Sequence, residues 1–136
     1  MKINTANFIC SNTNWRKCPK ENMPEYAFIG RSNVGKSSLI NALTNSKKLA
    51  KISGKPGKTQ LINHFLINDK FYFADLPGYG YAKISKKIRE EFQSFTLKYL
   101  KNRENLVCLF LLIDLRVSPQ KIDQEFMEFC ALKKIP

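Results

Sequence analysis

Apolar residues in the first half of the chain fall into short clusters separated by polar segments. A cluster over 6–10 predicts an edge strand, and a polar connector follows it up to residue 24. The apolar run over 25–30 ends in a glycine, which predicts a second strand. Apolar positions within 36–43 recur every three or four residues and predict a helix. Two glycines and a proline within 45–60 indicate a loop.

The second half of the chain continues this alternation. Two β-rich runs, 61–67 and 71–74, flank three polar residues and predict a hairpin. Helical spacing predicts an amphipathic helix over 86–101, and the run 106–114, apolar up to its final aspartate, predicts a central parallel strand covered on both faces. A last helix is expected to begin at Ser118, as N-cap, with a proline in its first turn. Its buried stripe would be Ile122, Phe126, Phe129 and Cys130.

The order of these elements indicates the fold class. Strands alternating with helices predict an α/β protein with a mostly parallel sheet between two helical layers. The 136 residues suffice for a single domain. The sequence stops where a further strand would be expected, so we interpret 1–136 as one incomplete domain that lacks its C-terminal strands and helices. We expect this domain to be a monomer.

Composition narrows the class of protein. Apolar residues make up 43% and charged residues 25%, as in ordinary soluble domains. No apolar run approaches the roughly 20 residues of a membrane span, and the N-terminus lacks a secretory signal, so we expect a cytoplasmic protein. The four cysteines form no metal-binding pattern, and we interpret Cys108 and Cys130 as buried thiols. His64 and Trp15 are interpreted as a strand residue and a packing aromatic.

The motif G-x-x-x-x-G-K-[ST] occupies residues 30–37, between a predicted strand and a predicted helix. Its glycines let the backbone curl so that N–H groups point at phosphate oxygens, and the helix adds its positive dipole end. The lysine would reach the β- and γ-phosphates, and the serine hydroxyl suits Mg²⁺. The phosphate-binding set predicted here is Gly30, Arg31, Ser32, Asn33, Val34, Gly35, Lys36, Ser37 and Ser38.

Two further features extend this interpretation. Asp75-x-x-Gly78 lies at the end of a predicted strand, where the carboxylate can hold Mg²⁺ through water and the glycine N–H can reach a γ-phosphate. Thr59 lies in the loop before the hairpin and can close over Mg²⁺ as a third ligand group, with Ser37 and Asp75. Such a loop is ordered by a triphosphate and loosens after hydrolysis.

Four sequence segments together resemble the EngB/YihA/YsxC family of ribosome-biogenesis GTPases: GRSNVGKSSLIN, PGKTQLIN, DLPGYGYAK and IDLR. The resemblance implies the G-domain fold, GTP hydrolysis with Mg²⁺, a role in large ribosomal subunit assembly and a link to cell division and septation. It also implies residues around the γ-phosphate, which are Gly57, Lys58, Thr59, Gln60, Leu61, Asp75, Leu76, Pro77 and Gly78.

The sequence departs from this family in one respect that concerns the base. Such GTPases read guanine with a later [NT]-K-x-D motif, and none follows Asp75 here. Guanine specificity is therefore an implication of the resemblance alone. A smaller departure is Lys55, where the family often has threonine.

Catalysis is expected to be slow. Ras-like enzymes place a glutamine directly after D-x-x-G to orient the attacking water, and this chain has Tyr79 there. An external activator, such as a ribosomal particle, would then be needed. Asn33 is a candidate K⁺ ligand, and that cation could supply the charge of an arginine finger; its alternative role is to hydrogen-bond the loop backbone.

The net charge of +12 predicts a polyanionic partner. Lysines and one arginine cluster beside the two loops expected to respond to nucleotide, without acids among them. We interpret them as an rRNA-binding surface, against the alternative of a solvated lysine face. The candidate contacts are Lys47, Lys48, Lys51, Lys55, Lys83, Lys86, Lys87 and Arg89.

Two other classes of function stay open at this point. A P-loop ATPase or small-molecule kinase would share the phosphate loop, but it would need an acceptor site and lid arginines, and it would not require Thr59 or Asp75-x-x-Gly78. A non-catalytic RNA- or phosphate-binding fragment is favoured only by the charge and by the missing guanine motif.

Overall fold

The computed structural model describes residues 1–31, 33–50, 61–79 and 86–136, and within 86–93 it describes the backbone only. Strands and helices alternate along the chain as the hydrophobic pattern predicts. The elements are β1 (Ala6–Asn12), a short 3-10 turn (Trp15–Lys17), β2 (Glu25–Gly30), α1 (Lys36–Leu43), β3 (Ile62–Ile67), β4 (Phe71–Asp75), α2 (Lys86–Asn102), β5 (Leu106–Leu112) and α3 (Lys121–Leu132).

The five strands form one mixed sheet in the order β1-β3-β4-β2-β5. β4, β2 and β5 run parallel to one another, whereas β1 and β3 pair antiparallel with their neighbours. The predicted hairpin joins β3 to β4 through Asn68 and Asp69, whose φ angles are 52° and 53°. Asn and Asp tolerate this left-handed conformation better than most residues, which explains their use in the turn.

Helices cover both faces of the sheet, so the predicted three-layer α/β architecture is confirmed. On one face, Ala27 and Ile29 pack with Tyr99 of α2 and with α3. On the other face, Phe28 packs with Ile40 of α1. The alternation along β2 therefore supplies both layers, as expected for a strand buried on two sides.

Several predictions about the last third of the chain are wrong. The stripe predicted on α3, Phe129 included, is half-buried rather than buried, and Cys108 and Cys130 are half-buried rather than buried thiols. β5 lies at the sheet edge in the described residues, and Val107 and Phe110 are 49% and 45% exposed, so the strand is not covered on both faces. α3 begins at Lys121 with Gln120 as its N-cap, rather than at Ser118. The later start fits the tertiary contacts of the helix, which direct Asp123 and Phe126 towards the sheet.

A buried ionic cluster links the first residue of β2 to α2 and to the residue that follows it. Glu25, the first residue of β2, is fully buried. Its Oε1 accepts from His64 Nε2 at 2.9 Å and from Arg103 Nη2 at 2.9 Å, and its Oε2 accepts from Arg103 Nε at 3.0 Å and from the Tyr99 hydroxyl. The sequence pattern predicts His64 only as a strand residue and gives no indication of this cluster.

Candidate nucleotide-binding site

The loop that leaves β2 is shaped by its two glycines. A Cβ on Gly30 would lie 2.8 Å from Val34 Cγ1 and 2.9 Å from the Leu112 carbonyl oxygen, so a side chain there would push the loop off β5. Gly35 has φ 101°, in the left-handed region that favours glycine. Asn33 also lies in that region, at φ 65°. The backbone therefore curls back between the strand and the helix, as the motif predicts.

α1 starts directly at the end of this loop. Gly35 is its N-cap, its carbonyl accepts from Leu39 N at 2.9 Å, and its first helical residue is Lys36. The first-turn N–H groups of any α-helix have no intrahelical carbonyl to bond and carry the positive end of the dipole. The position is therefore suited to an anion.

The end of β4 brings an acid to the same place. β2 and β4 run parallel with Phe28 opposite Asp75, so the carboxyl ends of the two strands are adjacent. Asp75 is 6% exposed and forms an ion pair with the ammonium group of Lys36. The two motifs predicted from the sequence, 39 residues apart, thus meet through their charged side chains.

The segment that follows Asp75 is fixed to β2 at both ends. Leu76 N donates to the Phe28 carbonyl at 3.0 Å, and Tyr79 N donates to the Gly30 carbonyl at 3.1 Å. Leu76 and Pro77 are buried, so their side chains belong to the core rather than to a ligand surface. The loop 76–79 is therefore held against the phosphate-loop motif by the backbone.

Tyr79 reaches across to α3, a contact that sequence analysis missed. Its hydroxyl donates to Asp123 Oδ1 at 2.5 Å, and its ring stacks on Phe126 with centroids 5.3 Å apart. Burial, and then the hydrogen bond to Asp123, raise the pKa of the phenol. The available signal was an acid inside an apolar helix face, between Ile122 and Phe126.

A cavity of about 190 Å³ lies beside the phosphate-loop motif at the carboxyl end of β5. At this edge Asp114 forms a two-point ion pair with Arg116, and the hydrogen bonds from Arg116 lower the pKa of Asp114 to about 2. The wall combines the anionic Asp114 and the cationic Arg31 with apolar surface. The lining residues are Arg31, Asn33, Val34, Leu112, Ile113, Asp114 and Val117.

The described residues therefore unite part of the predicted site. The structure describes 30–31 and 33–38, which form the loop and the start of α1. It also describes Leu61, just before β3, and 75–78, at and after the end of β4. Exposed Lys47 and Lys48 follow α1, and Lys86, Lys87 and Arg89 belong to the first turns of α2. Predicted residues outside the described ranges are Ser32, Lys51, Lys55, Gly57, Lys58, Thr59, Gln60 and Lys83.

The oxygen donors at this end of the sheet fit Mg²⁺. Ser37 lies in the first turn of α1, next to Lys36, whose side chain contacts Asp75. A hydroxyl and a carboxylate are hard ligands of the type that Mg²⁺ prefers. In the described ranges there is no group of three or more His, Cys, Asp or Glu residues that could hold a metal ion, and no helix there is long and apolar enough to cross a membrane.

Comparison with known proteins agrees with this geometry. The model of a protein family described as "50S ribosome-binding GTPase" matches residues 25–136. Proteins named "Probable GTP-binding protein EngB" from Flavobacterium johnsoniae and Flavobacterium psychrophilum are 65% and 63% identical over all 136 residues, which cover 65% and 66% of their lengths. The same-named protein of Christiangramia forsetii is 60% identical, and the chain covers 69% of it.

A solved structure points to the same family. The crystal structure of a probable GTP-binding protein engB superimposes with a TM-score of 0.66 and 28% identity, over 82% of this chain and 66% of that one. The chain spans about two thirds of the length of these relatives. The matching family model and the identity to these relatives show that this chain belongs to the EngB family of P-loop GTP-binding proteins.

Proposed function

We propose that this chain binds GTP and GDP with Mg²⁺, hydrolyses GTP slowly, and acts in the cytoplasm on precursors of the large ribosomal subunit. The observation that carries the nucleotide part is the contact between Lys36 and Asp75, which joins the phosphate-loop motif to D-x-x-G at the carboxyl ends of β2 and β4. Ligands of open α/β sheets bind at that edge.

In the proposed complex each charged side chain has a separate task. Lys36 exchanges Asp75 for the β- and γ-phosphates, since an ammonium group on a flexible stem can move between anions. The Ser37 hydroxyl then binds Mg²⁺ directly, and the Asp75 carboxylate binds it through water. Thr59, outside the described ranges, is the proposed third ligand. Mg²⁺ supplies charge neutralisation at the phosphates.

Slow hydrolysis follows from the placement of Tyr79. A side chain that orients a water must point into the site, whereas this ring is stacked on Phe126 and its hydroxyl is bonded to Asp123. We therefore propose that an external group activates hydrolysis. Asn33 is an exposed residue of the phosphate-loop motif and is the proposed K⁺ ligand. Equal turnover in K⁺ and Na⁺ would remove that role.

Nucleotide choice is tested by thermal shift with GTP, GDP or ATP, each with Mg²⁺ and with EDTA. We expect GTP and GDP to raise the melting temperature and ATP to raise it less. A larger shift with ATP would favour a P-loop ATPase or kinase. No shift with any nucleotide, for protein shown to be folded, would rule out the proposed site.

The ribosomal role is supported by two observations. The matching family model carries the description "50S ribosome-binding GTPase", and the chain carries a net charge of +12. The proposed rRNA surface is formed by the lysine clusters around 47–58 and 83–89. If phosphate contacts dominate, binding should fall steeply with salt, by roughly 10³-fold or more between 50 and 200 mM for six or more contacts.

Co-sedimentation with large-subunit precursors tests this role directly. We expect binding with a non-hydrolysable GTP analogue to exceed binding with GDP, and to weaken as salt rises. Replacing Lys47 and Lys48 by Gln should weaken binding, whereas the same change at exposed Lys133 and Lys134 provides a charge-matched control. Salt-independent binding would contradict an rRNA surface.

We also propose that depletion of the protein in cells impairs septation.

A further inference from the structure

The contact between Tyr79 and Asp123 lies at the boundary between the proposed γ-phosphate loop and α3. Tyr79 directly follows Gly78, the residue proposed to meet the γ-phosphate. Asp123 lies in the first turn of α3 and is 3% exposed. The two residues are 44 positions apart, so the contact joins two elements that the backbone does not connect locally.

Core packing alone does not account for this pair. The Tyr79 ring already packs within the apolar cluster and stacks on Phe126 at 5.3 Å, which would hold a phenylalanine equally well. Burying a carboxylate costs several kcal/mol unless it is hydrogen-bonded. The acid at 123 therefore has a cost that packing does not offset, and it gains a charge-assisted hydrogen bond that fixes where the ring lies.

The consequence for the loop follows from its backbone contacts. Tyr79 N donates to the Gly30 carbonyl, and residues 31 and 79 pair as an isolated parallel bridge. Because the same residue bonds β2 through its backbone and α3 through its side chain, a displacement of the phenol displaces the end of the 76–79 loop. That loop borders the region beyond the β-phosphate in the proposed complex.

We propose that Tyr79 and Asp123 are positioning residues that hold the 76–79 loop so that the protein distinguishes GTP from GDP. This inference rests on the proposed nucleotide-binding function and adds residues that determine specificity. Neither side chain touches the nucleotide. Their hydrogen bond sets the loop that meets the γ-phosphate, so its loss weakens GTP binding and leaves GDP binding in place. By linkage, GTP favours the same arrangement of α3 that the hydrogen bond favours.

The test compares two changes that each remove one buried phenol oxygen. Tyr79→Phe removes the bond to Asp123, and Tyr99→Phe removes a bond to Glu25 at the other end of the sheet. Equilibrium affinities for GTP and GDP are measured with Mg²⁺ for both variants and for the unmodified chain. We expect Tyr79→Phe to lower GTP affinity by about 3- to 10-fold, the range of one hydrogen bond. Its GDP affinity should stay within about twofold, and Tyr99→Phe should change neither.

A second variant serves if Tyr79→Phe does not fold. Asp123→Asn keeps an acceptor oxygen but removes its charge, so it should lower the ratio of GTP to GDP affinity in the same direction by a smaller factor. Hydrogen exchange of α3 amides should slow more with a GTP analogue than with GDP in the unmodified chain, and this difference should disappear in the variant.

The outcomes separate the two proposals. An unchanged ratio in the Tyr79 and Asp123 variants, or an equal change in Tyr99→Phe, overturns the positioning role while nucleotide binding stands. If the folded, unmodified chain takes up neither GTP nor GDP, the proposed function itself fails.

Discussion

Two buried carboxylates lie at opposite ends of the same parallel pair of strands. Glu25 begins β2, and Asp75 ends β4. Glu25 is fully buried and accepts four hydrogen bonds from His64, Arg103 and Tyr99. Asp75 is 6% exposed, and its partner in the described part of the chain is the flexible ammonium group of Lys36. The first carboxylate is surrounded by fixed donors, whereas the second has a partner that can leave.

Among the described residues, this difference makes the carboxyl end of these strands better suited to a ligand than the amino end. A carboxylate whose lone pairs are all engaged is rigid and resists displacement, since each lost bond leaves a buried group unsatisfied. When a carboxylate is paired to a lysine, the lysine can leave it to bind an incoming phosphate, and the carboxylate can then bind a cation. The amino end of these strands therefore fixes α2 to the sheet, whereas the carboxyl end keeps a carboxylate whose lysine partner can be exchanged.

The largest effect is expected from a substitution that disrupts the cluster around Glu25. Glu25→Gln keeps the shape of the side chain but removes the buried charge that Arg103 pairs with at 2.9 Å, so we expect a loss of about 3–5 kcal/mol in the free energy of unfolding. Urea denaturation measures it. Glu21→Gln is the matched control, because that carboxylate is exposed and 3.7 Å from the same guanidinium, and we expect about 0.5 kcal/mol or less.

The same comparison has a pH dependence. Burial alone would raise the pKa of Glu25, but the hydrogen bonds from His64 and Arg103 outweigh it and lower the value from 4.5 to about 2. A folded pKa below the unfolded one means that the stabilisation is complete above about pH 4.5 and is lost as pH falls towards 2. We expect this contribution to be on the order of 3 kcal/mol.

Unfolding free energies measured across pH 2–6 check this expectation. The curve of the unmodified chain should fall towards acid more steeply than the curve of Glu25→Gln, because the amide does not titrate. Parallel curves would show that other carboxylates govern acid unfolding.

The two ends also differ in how far the sequence predicted them. The phosphate-loop motif consists of contiguous residues, so its strand, loop and helix can be predicted from the local hydrophobic pattern and from the backbone freedom of its glycines. The cluster around Glu25 joins residues 39 and 78 positions apart, and no periodicity relates them. A buried glutamate at the start of an apolar strand was the one visible sign, and its partners depend on topology.

The errors in the last third have the same origin. Ser118 and the proline after it are good local start signals, yet the N-cap of α3 is Gln120, two residues later. Local capping is worth about 1 kcal/mol, which the contacts of Asp123 and Phe126 with Tyr79 can override. The apolar run of β5 correctly predicted a parallel strand, but a run alone does not state how many neighbours a strand has.

At the carboxyl end, removing the exchangeable partner should affect ligand affinity. Lys36→Met keeps the length of the stem but removes the charge that would meet the β- and γ-phosphates. We expect GTP affinity to fall by about 10- to 100-fold, as for a hydrogen bond to a charged group. Isothermal titration measures it, with the same substitution at exposed Lys98 as the control. Unchanged GTP affinity in Lys36→Met would contradict the proposed role.

The smallest effect concerns strain in the loop, independently of any ligand. Gly35 has φ 101°, and a Cβ there would meet no atom within 4 Å, so Gly35→Ala adds strain without a clash. We expect a loss of about 1–2 kcal/mol in unfolding free energy without nucleotide. Asn33→Gly, at φ 65°, is the inverse change in the same loop and should cost less than about 1 kcal/mol. Equal losses in the two variants would mean that the loop relaxes freely. The carboxyl end would then lack the preset curvature that distinguishes it from the amino end.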